Sequence, residues 1–310
     1  MVDFPTWCDR TDEAHGVHAL QVVTARAADT DFGRDAVAAL VPGHYAAEEQ
    51  VARILRRLGR PKSATFIEGK LPTTKSIRSG DLGEILATEY VASQTPYIVP
   101  VKRLRWKDHR NMAMRGDDVI GLRQDPATGR LAFLKGESKS RVSLAAGVVA
   151  EARTGLDKDG GLPSAHALEF ISSRLMDGGQ EDLADAIDDA LLKHGIAPPS
   201  VQHLLFTFSG NDPAGYLRPS VRSYTGGYVQ RYVGVRIATH GTFVADVYAI
   251  VAAARVTPAS SRDQFQIASA SHPGRNPPWA GPANGMAGNA YQCAFMRPGQ
   301  EEPGFIRRTK

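Results

Sequence analysis

The residue types best suited to chemistry lie between positions 115 and 139. Asp117-Asp118 opens a short apolar run, Val119-Ile120-Gly121-Leu122, and a second run, Leu131-Ala132-Phe133-Leu134, leads into Glu137-Ser138-Lys139. Between them, Asp125-Pro126-Ala127-Thr128-Gly129-Arg130 carries turn residues, so the stretch predicts a β-hairpin. Side chains alternate faces along a strand. Glu137 and Lys139 therefore share a face, and Ser138 points away. Asp118 is preferred over Asp117 as their companion because it falls on the side of Ile120 and Leu122, although a one-residue slip in strand phase would exchange the two. Two carboxylates and a lysine meeting at a strand end suit metal-dependent phosphodiester hydrolysis. Mg²⁺ (or Mn²⁺) prefers oxygen ligands and is held by one or two carboxylates. Asp118 and Glu137 would supply these, with the carbonyl of Ser138 as a third oxygen. Lys139 would stabilise the attacking water or the charge developing on phosphorus. The same residues also admit a plain salt-bridge cluster, since a Glu-x-Lys recurs by chance in most proteins.

The elements that must position this hairpin are read from hydrophobic spacing. Residues 1–12 are polar and mixed and predict an extended lead-in. Residues 35–58 predict helix interrupted at Pro42-Gly43, with Val51, Ile54, Leu55 and Leu58 on one face and Arg53, Arg56 and Arg57 on the other. Residues 61–80 read as a linking stretch. Ser79 or Asp81 is expected to cap a helix with Leu82, Ile85, Leu86 and Tyr90 inward. Glu84 lies off that stripe, and a helix just before the hairpin would bring it in as a supporting member of the site. Residues 97–101 predict a strand, and Arg103, Arg105, Lys107, His109 and Arg110 around Trp106 form either a backbone-tracking basic run or a solvated edge. After Lys139 the spacing turns helical at residues 144–152, again at 164–176 and at 181–194. Residues 201–208 predict a buried strand, 227–239 another, and 243–254 a helix or strand. This order predicts an α/β fold with a central mixed sheet flanked by helices.

Bulk properties narrow the classes. With 310 residues and 42% hydrophobic content, the chain can build a large core. No apolar run approaches the roughly 18–20 residues of a membrane span, and the first residues show neither a basic nor an apolar leader region. Cys8 and Cys293 stand far apart, which fits a reducing cytoplasm. The formal net charge of +4 is compatible with a polyanion partner without requiring one. There is no Gly-x-Ser-x-Gly elbow, no Gly-Lys-Ser/Thr phosphate loop and no dinucleotide fingerprint. The histidines, His166, His194 and His203 among them, lack metal-ligand spacing and read as ordinary surface or core residues.

Asp118, Glu137-Ser138-Lys139 and the preceding Gly83-Glu84 helix resemble the PD-(D/E)xK nuclease superfamily. Five segments are similar, in order, to one branch of it: Leu71-Pro72-Thr73-Thr74-Lys75, then Arg78-Ser79-Gly80-Asp81-Leu82-Gly83-Glu84, then Arg115-Gly116-Asp117-Asp118, then Gly136-Glu137-Ser138-Lys139, then His166-Ala167-Leu168-Glu169-Phe170. That branch is the HamA family, the nuclease subunits of the Hachiman anti-phage defence system. The resemblance covers residues 60–210. It implies a restriction-endonuclease-like core, a Mg²⁺-dependent DNase with Asp118, Glu137, Lys139 and Glu84 at its centre, and a superfamily 2 helicase partner of the DExD/H type (HamB-like). Because this chain carries no nucleotide loop, any ATP dependence would come from that partner. The superfamily's proline before the catalytic aspartate is absent, Gly116 and Asp117 standing there instead. Expected domains are a helical region over 1–60, the nuclease-like domain with a C-terminal extension over 61–255, and a weakly ordered Pro/Gly-rich tail over 256–310. The alternatives are a non-catalytic DNA-binding or assembly subunit and a nuclease acting on RNA.

Overall fold

The computed structural model describes residues 1–253 of the chain; the expected tail lies outside the described residues. The hairpin forms as β3 (Val119–Gln124) and β4 (Leu131–Arg141). Its turn is held by the Asp125 carboxylate, which accepts from the backbone N–H groups of Ala127 at 2.8 Å and Thr128 at 3.3 Å. Gly129 supplies the positive φ of +69° that closes it. β5 (Val201–Ser209) is buried nearly throughout because helices cover both of its faces. With β1 (Cys8–His15), β2 (His18–Ala25) and β6 (Val229–Arg236) they make one six-stranded sheet ordered β1-β2-β6-β5-β4-β3. The hairpin pairs at the two edges are antiparallel, and the three central pairs are parallel.

Alternation divides the layers. Leu134, Leu204, Phe206, Phe208, Val233 and Val235 face α1 (Thr30–Tyr45), α4 (Lys75–Gln94) and α9 (His240–Ala253). On the opposite face, Leu205 and Tyr232 pack with α5 (Ala146–Asp157) and α8 (Ala214–Ser223). Farther along that face, Ile120, Leu122 and Phe133 pack with α6 (Ala165–Asp177) and α7 (Glu181–Asp188). Among the described residues no helix is long and apolar enough to cross a membrane.

The N-terminal lead-in is replaced by a hairpin. β1 is mostly exposed and carries Asp9, Arg10, Asp12 and Glu13, the charged composition of a protected sheet edge. Such a strand has no apolar alternation to betray it. Ahead of it Trp7 is fully buried, and α1 crosses its indole at Gly33, where a Cβ would run into the ring. Gly33→Ala is therefore expected to destabilise the fold by about 1–3 kcal/mol through overpacking, read as a lower midpoint in thermal unfolding.

Three further segments differ from expectation. α1 runs unbroken through Pro42, since Val41, His44 and Tyr45 are buried in its last turns and tertiary packing outweighs the proline. Residues 61–80 hold α3 (Arg60–Lys70) and the start of α4, not a linker. Pro61 sits at the first turn of α3, where a missing N–H is harmless. Ser79 and Asp81 thus lie inside α4 and cap nothing. Residues 97–101 make only a single bridge, Ile98 with Leu122, beside the edge strand β3.

Candidate active site

The register of β3 and β4 pairs Val119 with Gly136. Continued by one residue, it sets Asp118 opposite Glu137, on the face of Ile120 and Leu122. The Asp118 carboxylate accepts the backbone N–H of Ser138 at 2.9 Å. Asp117 faces elsewhere: it accepts the backbone N–H of Ser164 at 2.8 Å, at the start of α6, and lies 3.4 Å from the ammonium of Lys135. Lys135 is buried, and its ammonium also donates to the carbonyls of Lys158 and Leu162.

Glu137 and Lys139 pair at 2.9 Å, and Lys139 makes a second contact of the same length to Glu151 of α5. Burial works against the charge on Lys139, but the two carboxylates outweigh it and hold its pKa above the ordinary lysine value. Burial, then the nearby Glu137 charge, pushes the Asp118 carboxyl up to about 6, against the hydrogen bond from Ser138.

Ser138 points to the other face, as alternation requires. There Gly83 of α4 lets the helix lie close, since a Cβ on it would come within 3.1 Å of the Ser138 hydroxyl and 3.0 Å of the Ser140 Cβ. The approach is tied by Ser79, whose hydroxyl meets that of Ser140 at 2.8 Å. Glu84, the next residue along α4, is thereby carried to the acidic edge. Burial, and then the charge of Asp118, raise its carboxyl well above the usual range, opposed by Arg103 at 3.9 Å. One Glu84 oxygen and the Ser138 hydroxyl are buried without a hydrogen-bond partner. A small cavity of about 70 Å³ lies beside Asp118, lined by Arg103, Asp117, Val119, His166 and Phe170 among others.

Among the described residues no three His, Cys, Asp or Glu side chains form a group that could hold a metal ion. What the edge offers is smaller: the two carboxylates of Asp118 and Glu137 on facing strands and a strand carbonyl. That donor set is all oxygen and fits a hard cation such as Mg²⁺, which keeps several of its waters. It does not fit a softer metal that needs sulfur or imidazole.

The basic run read around Trp106 takes up contacts inside the fold. Arg103 is a counter-ion inside the acidic cluster and also donates to the Arg115 carbonyl. Its neighbours in the basic run are engaged as well, Arg105 with the Gly43 carbonyl and Lys107 with the buried Asp81. The run is therefore partly internal wiring. By contrast Arg53, Arg56, Arg57, Arg60 and Lys62 are exposed on α2 (Glu48–Leu58) and the start of α3. His203 is an ordinary core residue, buried under Tyr228 and bonded to the Gly161 carbonyl, with burial lowering its pKa to about 4.

Fold and site define an α/β protein with a restriction-endonuclease-like core, in which an acid pair and a lysine share one edge of a mixed sheet. The chain belongs to the HamA family, whose family model, described as HamA, matches residues 2–251. It is similar to the Hachiman protein HamA of Bacillus cereus, at 28% identity over 138 residues covering 44% of this chain and 48% of that relative. The match thus spans about half the length of the curated relative.

Proposed function

We propose that this HamA-family protein is a Mg²⁺-dependent (or Mn²⁺-dependent) DNA endonuclease that works with a superfamily 2, HamB-like helicase in Hachiman anti-phage defence. Membership of the family supports the defence role. The observation that carries the chemistry is the register that sets Asp118 opposite Glu137, with Lys139 two residues on along the same strand face. Asp118, Glu137 and the Ser138 carbonyl would hold the cation, which supplies charge neutralisation on the scissile phosphate and an acidified water. Lys139 is kept protonated by its two carboxylate partners and stands ready to stabilise charge on the phosphate oxygens. Glu84 would orient water at the edge of the site through the oxygen that makes no hydrogen bond. The exposed arginines of α2 and the start of α3 are free to follow a phosphate backbone, while the partner supplies the ATP-driven step.

The test is degradation of plasmid DNA by the purified protein, alone and with the helicase and ATP, in Mg²⁺, in Mn²⁺ and in chelator, beside an RNA substrate. Cleavage of DNA with either cation, abolished by chelation, is the expected result. Degradation that persists in chelator would remove the metal from the mechanism. Cleavage of RNA alone would change the substrate, and no cleavage under any arm would leave a non-catalytic subunit.

A further inference from the structure

The Glu137–Lys139 pair is held from outside the sheet by one face of α5. Glu151 and Gly155 are four residues apart on that helix and share a face. Glu137 and Lys139 are two apart on β4 and share a face. The two faces meet, Lys139 against Glu151 at 2.9 Å and Glu137 against Gly155. A Cβ on Gly155 would lie 2.6 Å from the carboxyl carbon of Glu137, and 2.8 and 2.9 Å from its two oxygens. Gly155 adopts no positive φ, so its backbone does not call for glycine, and a glycine inside a helix weakens it relative to alanine. The space above its Cα is the space the Glu137 carboxylate fills. α5 cannot retreat to make more room, because Val149, Ala152 and Leu156 on it are buried against the sheet.

We propose that Gly155 is a positioning residue for the site: by lacking a side chain it fixes where the Glu137 carboxylate stands, while Glu151 fixes the Lys139 ammonium beside it. This rests on the nuclease reading. An added methyl meets the end of a flexible side chain rather than backbone, so the carboxylate gives way and the fold stays.

The experiment is calorimetric titration of Mn²⁺ into the metal-free full chain, with thermal unfolding alongside, for the parent, Gly155→Ala, Gly147→Ala and Glu137→Ala. Gly147 lies on the same helix with open space around it, so it reports the helix effect of the same substitution. The expected result is Mn²⁺ affinity reduced about 10–100-fold in Gly155→Ala, an unfolding midpoint at or above that of the parent, and parental affinity in Gly147→Ala. Gly155→Ala binding like the parent while Glu137→Ala has lost binding would overturn the proposal. So would a Gly155→Ala chain that unfolds early, since the helix rather than the carboxylate would then have yielded. Glu137→Ala binding like the parent would instead overturn the metal-site reading beneath it.

Discussion

Asp118→Asn is expected to give a protein that is more stable without metal than the parent and no longer cuts DNA. The Asp118 carboxyl stands at about 6 in the folded chain, raised from 3.8 by burial and by Glu137. A carboxyl raised by folding binds its proton more tightly when folded, so its favourable contribution is complete below about pH 4 and is lost as pH rises through 6. Above that the folded chain carries a constant penalty of up to about 3 kcal/mol, the free energy of two pKa units. Asparagine cannot ionise, yet its carbonyl oxygen can still accept the Ser138 N–H. At pH 7.5 the metal-free variant should therefore unfold later than the parent, and its stability should fall less steeply between pH 4 and 6, the buried Glu84 carboxyl still contributing. Cation binding reverses the order: Mg²⁺ at a hundred times its dissociation constant stabilises the parent by about 2.7 kcal/mol, and the variant by little. Cleavage should drop by more than about 100-fold, beyond what outer partners of a metal ligand contribute. Unfolding curves across pH with and without Mg²⁺, beside the plasmid assay, check all of these. A variant that cuts normally, or that is simply destabilised, would remove Asp118 from the metal site.

The hairpin that carries this residue was legible because its two runs, its Asp-Pro…Gly turn and its period of two agree with one another. The same period put Glu137 and Lys139 on one face, and the register sets Asp118, not Asp117, opposite Glu137. What could not be read lies in contacts between distant elements. Gly155 and Glu151 look like any residues of an amphipathic helix until α5 is laid against β4. Lys135 sits in an apolar run, where nothing local says that its charge is answered by Asp117 and by the carbonyls of residues 158 and 162. β1 escaped because an edge strand defended by charge resembles a loop, and α3 because a proline that begins a helix looks like one that ends it.

The two neighbouring aspartates should respond in opposite ways to loss of charge. Asp117 answers the ammonium of Lys135, which is 1% exposed, and accepts the N–H that begins α6. Asp117→Ala leaves that ammonium with neutral carbonyls alone and orphans the Ser164 N–H. Removing one member of a buried pair costs about 3–5 kcal/mol, which for a chain of this size lowers the unfolding midpoint by roughly 10 °C. Because the damage is to an uncompensated charge, Lys135→Met in the Asp117→Ala background should recover part of the loss, although the freed carbonyls of Lys158 and Leu162 keep the rescue incomplete. A double-mutant cycle on unfolding free energy measures this coupling. At a temperature where Asp117→Ala is still folded, its Mn²⁺ affinity should stay near the parental value, since Asp118, Glu137 and the Ser138 carbonyl are untouched. Normal stability together with lost Mn²⁺ binding would exchange the two roles, making Asp117 the ligand and Asp118 the strut.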